Sequence, residues 1–242
     1  DVLENGCVSK MVNNYAQINF NFGPTLLSWM ERCASKTYQL ILDADKRSLL
    51  RFSGHGGAIA QVYNHMIMPL ADPEDKETQV IWGIKDFECR FKRKPEGMWL
   101  SETAVNLETL EVLARHNILY TILSPTQAHQ VRRIGDSHWK NVEGGKIDTR
   151  DAYLCRLPSG KTINLFFYDG PIANEVAFGD LLKDGVEFAH RLADEFSSEC
   201  EGAQLVHIAN DGETYGHHHR FGDMALAFCL HHVESNQLAK LT

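Results

Sequence analysis

The stretch from Leu205 to Met224, L-V-H-I-A-N-D-G-E-T-Y-G-H-H-H-R-F-G-D-M, sets an apolar run against a dense group of titratable side chains. Leu205, Val206, His207, Ile208 and Ala209 are mostly apolar and rich in β-branched types, which predicts a short buried strand. Asn210, Asp211 and Gly212 break it with turn chemistry. The apolar run Met224 to Leu230 predicts a helix beyond. Asp211 and Glu213 are therefore expected just past the C-terminal end of a strand and before a helix. In α/β folds with parallel strands, that rim carries the chemistry.

The rest of the chain repeats this alternation. Residues 15–22 alternate apolar and polar as a strand does, and Gly23-Pro24 ends them, with Pro24 suited to the first turn of a helix. Further helices are expected near 36–50 and 76–94, the second because Val80, Ile84, Phe87 and Phe91 form one stripe. A strand over Gly97–Leu100 follows, with Glu102 just beyond it. Asn106 then caps a helix, and residues 118–123 form another buried strand. This β-α-β order argues for parallel pairing. Residues 129–152 are polar and Gly-containing and read as an excursion from the core. A hairpin across P-S-G-K, with strands near 153–157 and 161–168, leads to Asp169. A helix near 180–196 precedes the Leu205 run.

At 242 residues the chain fits one large domain or two small ones, and 43% hydrophobic residues allow a sizeable core. The net charge of −8, without a basic block, argues against a nucleic-acid partner. Six widely spaced cysteines without a C-x-x-C pair read as reduced thiols and point to the cytoplasm. No apolar run reaches membrane-spanning length.

Three carboxylates, Glu102, Asp169 and Asp211, are expected past strand ends. Two carboxylates across a cleft are what glycoside hydrolysis needs, one attacking the anomeric carbon and the other protonating the leaving oxygen. Helix capping is the competing reading, since carboxylates favour helix N-termini for electrostatic reasons alone, and for Asp169 it is the favoured one. Trp99 suits stacking on a sugar ring, or simply a place in the core. Adjacent residues on a helix point in different directions, so His217, His218 and His219 are a poor set for one metal ion, and no metal or cofactor is expected.

Three ordered blocks carry a resemblance: G-H-G-G-A-I-A-Q-V-Y-N-H-M-I-M-P-L, R-F-K-R-K-P-E-G-M-W-L-S-E-T-A-V and H-I-A-N-D-G-E-T-Y-G-H-H-H-R-F-G-D-M-A-L. Together they resemble glycoside hydrolase family 57, in a branch carrying a domain of unknown function related to α-amylases and glucan-modifying enzymes. The resemblance implies an α/β fold: an incomplete (β/α)7 TIM-like barrel, as one domain over 1–242. It implies a retaining hydrolase or transglycosylase acting on α-glucans, of amylase, 4-α-glucanotransferase or branching type. Glu102 matches the nucleophile of the family's W-L-P-E block, and Asp211 the acid/base of its D-x-E block. His65, Trp99, Glu213 and His217 fall on positions lining the family's sugar site, with His55 and His218 weaker candidates. A retaining mechanism implies carboxylates roughly 5–5.5 Å apart, against roughly 6.5–9.5 Å for inversion.

Ser101 stands where the family usually has Pro, which implies a looser turn at Glu102. The family's first block, an H-x-Q-P-like strand end, is expected before residue 1 and its last block after residue 242. The chain then reads as the catalytic middle of a longer protein, without the first barrel strand. An inactive carbohydrate-binding segment is the second reading, and a metal-dependent polysaccharide deacetylase the third. Hydrolysis and transfer, glucan linkage and oligomeric state stay open.

Overall fold

The computed structural model describes residues 2–4, 7–199 and 202–242. The chain begins with strands β1 (Val2–Glu4) and β2 (Cys7–Lys10), followed by helices α1 (Pro24–Cys33) and α2 (Ser35–Arg51). Next come β3 (Ala60–Gln61), α3 (Pro73–Phe91), β4 (Met98–Trp99), α4 (Leu107–Arg115) and β5 (Tyr120–Leu123). Short strands β6 (Gln130–Val131) and β7 (Lys140–Asn141) precede β8 (Tyr153–Arg156) and β9 (Thr162–Phe167). Helices α5 (Gly170–Phe178), α6 (Gly185–Ala193) and α7 (Gly222–Ser235) complete the order. No helix among the described residues is long and apolar enough to cross a membrane.

The contacts divide the chain into two compact units. The first, here the parallel unit, comprises Tyr15–Leu123 and Ala152–Phe166. Its sheet is a succession of short parallel pairings: Phe20 with Ala58, then β3 with β4 (Ala60 opposite Met98, Gln61 opposite Trp99), then Gly97 with Tyr120. Between these pairings the chain makes helices, α1 and α2 first, then α3, then α4. This is the β-α-β logic read from the sequence, since parallel neighbours need long crossovers. The series continues through β5 and β9 to β8, and β8 and β9 pair antiparallel as the expected hairpin. One core, including Leu27, Ile41, Val62, Met68, Val80, Met98, Leu100 and Leu113, lies under these strands.

Local chemistry explains where these helices start and stop. Pro24 opens α1 at its first turn. Asp72 caps α3 by accepting the Asp75 N–H, and Lys92, left-handed at φ 58°, closes that helix before Pro95 is reached. Asn106 caps α4 through the Thr109 N–H at 2.9 Å, as its position predicts. The buried face of α3 is Lys76, Gln79, Val80, Gly83 and Phe87, so it is partly polar where the sequence predicts a wholly apolar stripe. Gly83 is required there. A Cβ at this position would lie 2.1 Å from the Gln61 carbonyl oxygen, so only glycine lets α3 pack this closely on β3.

The expected strand over 15–22 is replaced by a single helical turn, Asn14–Ala16, and the one bridge at Phe20. The alternation there serves aromatic packing. Tyr15, Phe20 and Phe22 sit with ring centroids 5.1 to 5.7 Å apart and join the core instead of a ladder.

The second unit, here the helical unit, comprises Asp1–Asn14, Ser124–Asp151 and Phe167–Thr242. In it α6 packs against α7, and β1 pairs antiparallel with β2, as β6 does with β7. Phe188, Ala189, Leu226, Cys229 and Leu230 are buried. Helix α5 stands where the sequence reading has only the end of a strand. Asp169 is its cap, accepting the Ile172 N–H at 2.8 Å, with Pro171 in its first turn. Burial raises the Asp169 pKa above the ordinary aspartate value. The expected polar excursion over 129–152 is the β6–β7 pair and its flanks, pinned by buried Val142 and Ile147.

The predicted buried strand over 205–209 does not form. These residues are half-buried and belong to no strand. Two backbone bonds tie the run down: Leu205 N–H donates to the Arg150 carbonyl (3.0 Å), and Asp169 N–H donates to the His207 carbonyl (2.8 Å). Asp211 and Glu213 therefore follow an irregular segment.

Candidate active site

In the parallel unit, β3 and β4 run side by side in one direction, so the segments leaving their C-terminal ends emerge together. The first of these carries His65. The loop is anchored from α3: buried Gln79 takes the Tyr63 N–H on its carbonyl (3.2 Å) and the Asn64 N–H on its Oε1 (2.7 Å). The second segment carries Glu102. Leu100, fully buried, follows the strand, and Ser101–Thr103 forms one tight turn closed by Thr103 N–H to Leu100 O and Ala104 N–H to Ser101 O, both 3.0 Å. Glu102 and Thr103 are both left-handed, at φ 55°. Two successive non-glycine residues in that region cost about 1–2 kcal/mol each, and for β-branched Thr103 the conformation is a true outlier. Ser101 and Thr103 are buried while the Glu102 side chain is 70% exposed. The strain lifts one carboxylate out of a turn whose flanks are locked into the core.

His65 and Glu102, 37 residues apart in sequence, meet there: Nε2 of His65 lies 2.8 Å from Oε1 of Glu102. An ionised carboxylate only accepts, so the imidazole donates. Trp99 is half-buried on β4, between fully buried Met98 and Leu100. His55 lies elsewhere. It precedes β3, pairs through Nδ1 with Glu96 Oε1 (2.9 Å), and Glu96 precedes β4, so this pair sits at the opposite ends of the strands from His65 and Glu102.

The helical unit holds the other candidates. Asp211 begins the turn Gly212–Thr214; its carbonyl accepts the Thr214 N–H (3.1 Å), and its exposed side chain makes no capping bond. It is thus not the helix cap that the competing reading supposes. The Glu213 carbonyl accepts both the His217 and His218 N–H groups (3.1 and 3.0 Å), which brings these exposed residues together. The rings of His217 and His218 meet edge-on, 4.9 Å apart. His219 turns away and bonds the Ala177 carbonyl through Nε2 (2.9 Å). Asn210 donates to the Ala173 carbonyl (2.8 Å), fixing the residue before Asp211 on α5. Beneath this segment, burial holds the His207 pKa down at about 4, so its imidazole is neutral at pH 7. Burial pushes the Tyr215 hydroxyl up, and the Cys229 thiol up to about 12. Among the described residues, no group of three or more His, Cys, Asp or Glu is placed to hold a metal ion.

Gln79 and Asn210, which hold the His65 loop and the Asp211 segment, are absent from the sequence-level candidates. Their signals are faint: a Gln beside Val80 on the buried face of α3, and an Asn that reads as turn chemistry.

Residues 10–241 match the family model described as glycosyl hydrolase family 57. The chain belongs to that family. The chain is 24% identical over 199 residues to alpha-amylase 1 of Dictyoglomus thermophilum, covering 82% of this chain and 26% of that protein. Its fold is similar to that of 4-alpha-glucanotransferase from Thermococcus litoralis, with a TM-score of 0.68 and 17% identity over 95% of this chain and 33% of the other. The GH57-type branching enzyme from Pyrococcus horikoshii is also similar, with a TM-score of 0.63 and 18% identity over 88% of this chain and 49% of that one. The chain thus spans about a quarter of the amylase and a third of the glucanotransferase. At such identities the solved structures establish a shared α/β fold.

Proposed function

We propose that this family 57 chain carries the catalytic carboxylates of a retaining glycoside hydrolase or transglycosylase acting on α-glucans, on an incomplete (β/α)7 barrel. One observation supports this above the others: Glu102 is raised from a doubly left-handed turn at the end of a parallel strand and held by His65. Strained backbone of this kind gathers at functional sites, because it persists only where the surroundings over-determine it. In this reading His65 occupies one carboxylate oxygen and keeps the group aimed, and the other oxygen attacks C1. As the Glu102–C1 bond forms, the C1–O bond to the leaving sugar breaks, and that oxygen takes the proton of Asp211. In the second half, Asp211 accepts the proton of a water or of an acceptor hydroxyl, whose oxygen displaces Glu102 with net retention. Trp99, Glu213 and His217 bind sugar, with His218 a weaker candidate.

The test is turnover of maltooligosaccharides and glycogen by the chain and by its Glu102→Gln variant, with the anomer of the first product read by NMR. Initial α-products and loss of turnover in the variant support the reading. β-Products, or undiminished turnover by Glu102→Gln, remove Glu102 from its role. Elongated products distinguish transfer from hydrolysis, and binding without turnover by the unaltered chain would leave a carbohydrate-binding segment.

A further inference from the structure

Beside the His65–Glu102 pair, within the parallel unit, an open groove is lined by Leu26 and Trp29 of α1, Gln61 at the end of β3, and Tyr63, Asn64 and His65 of the following loop. Its composition is unusual for a solvent-facing surface. Trp29 is 52% exposed and Leu26 is exposed with it, although burying them would stabilise the fold. Tyr63 is braced edge-on by Trp82, with centroids 5.4 Å apart and planes at 84°, so its ring is held in place. Besides the apolar surface, the groove lining includes two amides and an imidazole. Gln61 is backed by Gly23, where a Cβ would come within 3.2 Å of its Nε2, and Asn64 stands on a backbone anchored by Gln79.

A groove lined by aromatic rings together with amide and imidazole groups suits an amphipathic ligand whose flat faces carry C–H bonds and whose edges carry hydroxyls. A pyranose ring has that character. A phosphate or a peptide carboxylate would want cations, and the lining has none of lysine or arginine. The groove lining also includes His65, which bonds Glu102. A chain lying in it would therefore pass the partner of the proposed nucleophile.

We infer that this groove is an extended glucan subsite, with Trp29 as the stacking platform and Gln61 and Asn64 as hydroxyl partners, so that it selects long α-glucan chains over short ones. This rests on the reading of Glu102 as nucleophile only for its direction toward the reaction centre; the binding itself stands on the groove.

The test is calorimetric titration of maltoheptaose and maltose into the chain carrying Glu102→Gln, with and without Trp29→Ala. Loss of an aromatic stacking partner is expected to weaken maltoheptaose binding about five- to tenfold, with maltose changed less than about twofold. Trp29→Phe, which keeps a ring, is expected to restore most of the affinity. Trp139→Ala, removing a similarly exposed indole of the helical unit, should change neither ligand. Unchanged maltoheptaose affinity in Trp29→Ala overturns the inference. So does equal loss in the Ala and Phe variants, which would mark a structural role, or no maltoheptaose binding at millimolar concentration by the chain with Trp29 intact. The two readings fail separately: turnover surviving Glu102→Gln refutes the nucleophile and leaves the groove, while chain-length preference surviving Trp29→Ala refutes the groove and leaves the nucleophile.

Discussion

Replacing Asp45 by Ala should cost about 4 kcal/mol of stability while leaving the candidate chemistry in place. Asp45 lies on α2 with its side chain 1% exposed and takes three hydrogen bonds. Two come from Arg93, Nε to Oδ2 at 3.0 Å and Nη2 to Oδ1 at 2.7 Å, and the third from the Ala58 N–H at 2.8 Å. Breaking a buried ion pair by removing one partner typically costs about 3–5 kcal/mol, and orphaning a buried N–H about 1–3. Arg93 keeps its bonds to the Ala58 and Lys94 carbonyls (2.8 and 3.4 Å) and the face of Phe87 at 4.8 Å, which holds the total near the low end of the sum. Against a total stability of about 5–15 kcal/mol this is a large fraction. Ala58 lies just before β3, the strand that leads to His65, so the pair sits at the opposite end of that strand from Glu102. Urea denaturation should show a lowered midpoint, and hydrogen exchange should show the Ala58 amide losing protection, while turnover per folded molecule persists at low temperature. The double variant Asp45→Leu/Arg93→Met should recover much of the loss, since an apolar pair avoids the stranded charge. A loss below about 1 kcal/mol, or a double variant whose loss equals the sum of the singles, would refute the reasoning.

Removing the imidazole in His65→Ala should lower kcat on maltooligosaccharides by roughly 10²-fold through misplacement of Glu102, with little change in the urea midpoint because the side chain is exposed; wild-type kcat in the variant would end the positioning role. Gly83→Ala should destabilise by about 1–3 kcal/mol, because the added methyl meets the Gln61 carbonyl, and a neutral effect on the denaturation midpoint would mean that α3 has room to move. His207 is held neutral with its pKa at about 4, below the ordinary 6.5. Between those values the unfolded chain binds the extra proton, so stability attributable to this group is full above about pH 6.5 and falls as pH drops toward 4. Its limit is roughly 3 kcal/mol. His207→Gln should flatten that part of the stability–pH curve, and an unaltered slope would show that His207 charges freely.

Local signals carried much of the architecture. Pro24, Asn106 and the periodicity of α3 mark their helices because capping and amphipathicity act within a few residues. The parallel strands were harder to read. β3 and β4 have two residues each, too few for any periodicity, and the Leu205 run has strand composition without a ladder partner on both sides. Helix α5 is hidden in the sequence because Asp169-Gly170-Pro171 reads as the close of a strand, whereas Asp169 and Pro171 are the helix's start. At the candidate site, the meeting of His65 with Glu102 depends on the crossover through α3, which no spacing encodes; only the resemblance puts both residues at one site. His55 appears in the same block as His65 and falls at the far end of the strands, because the strand itself intervenes.

The way the two units share the chain bears on how the protein is made. The parallel unit lacks β8 and β9 until residue 166 has been synthesised, so Glu102 waits for a hairpin translated well after it. The helical unit holds its first segment, 1–14, until α7 has been translated. At ribosomal speeds of about 5–20 residues per second, the surroundings of Glu102 can close several seconds before those of Asp211 exist. A product stalled in that interval would thus hold the Glu102 turn in a closed parallel unit while the segment carrying Asp211 is still unfolded, and proteolysis or chaperone capture should then fall on residues 124–151 and on β1 and β2, the segments still awaiting their partners.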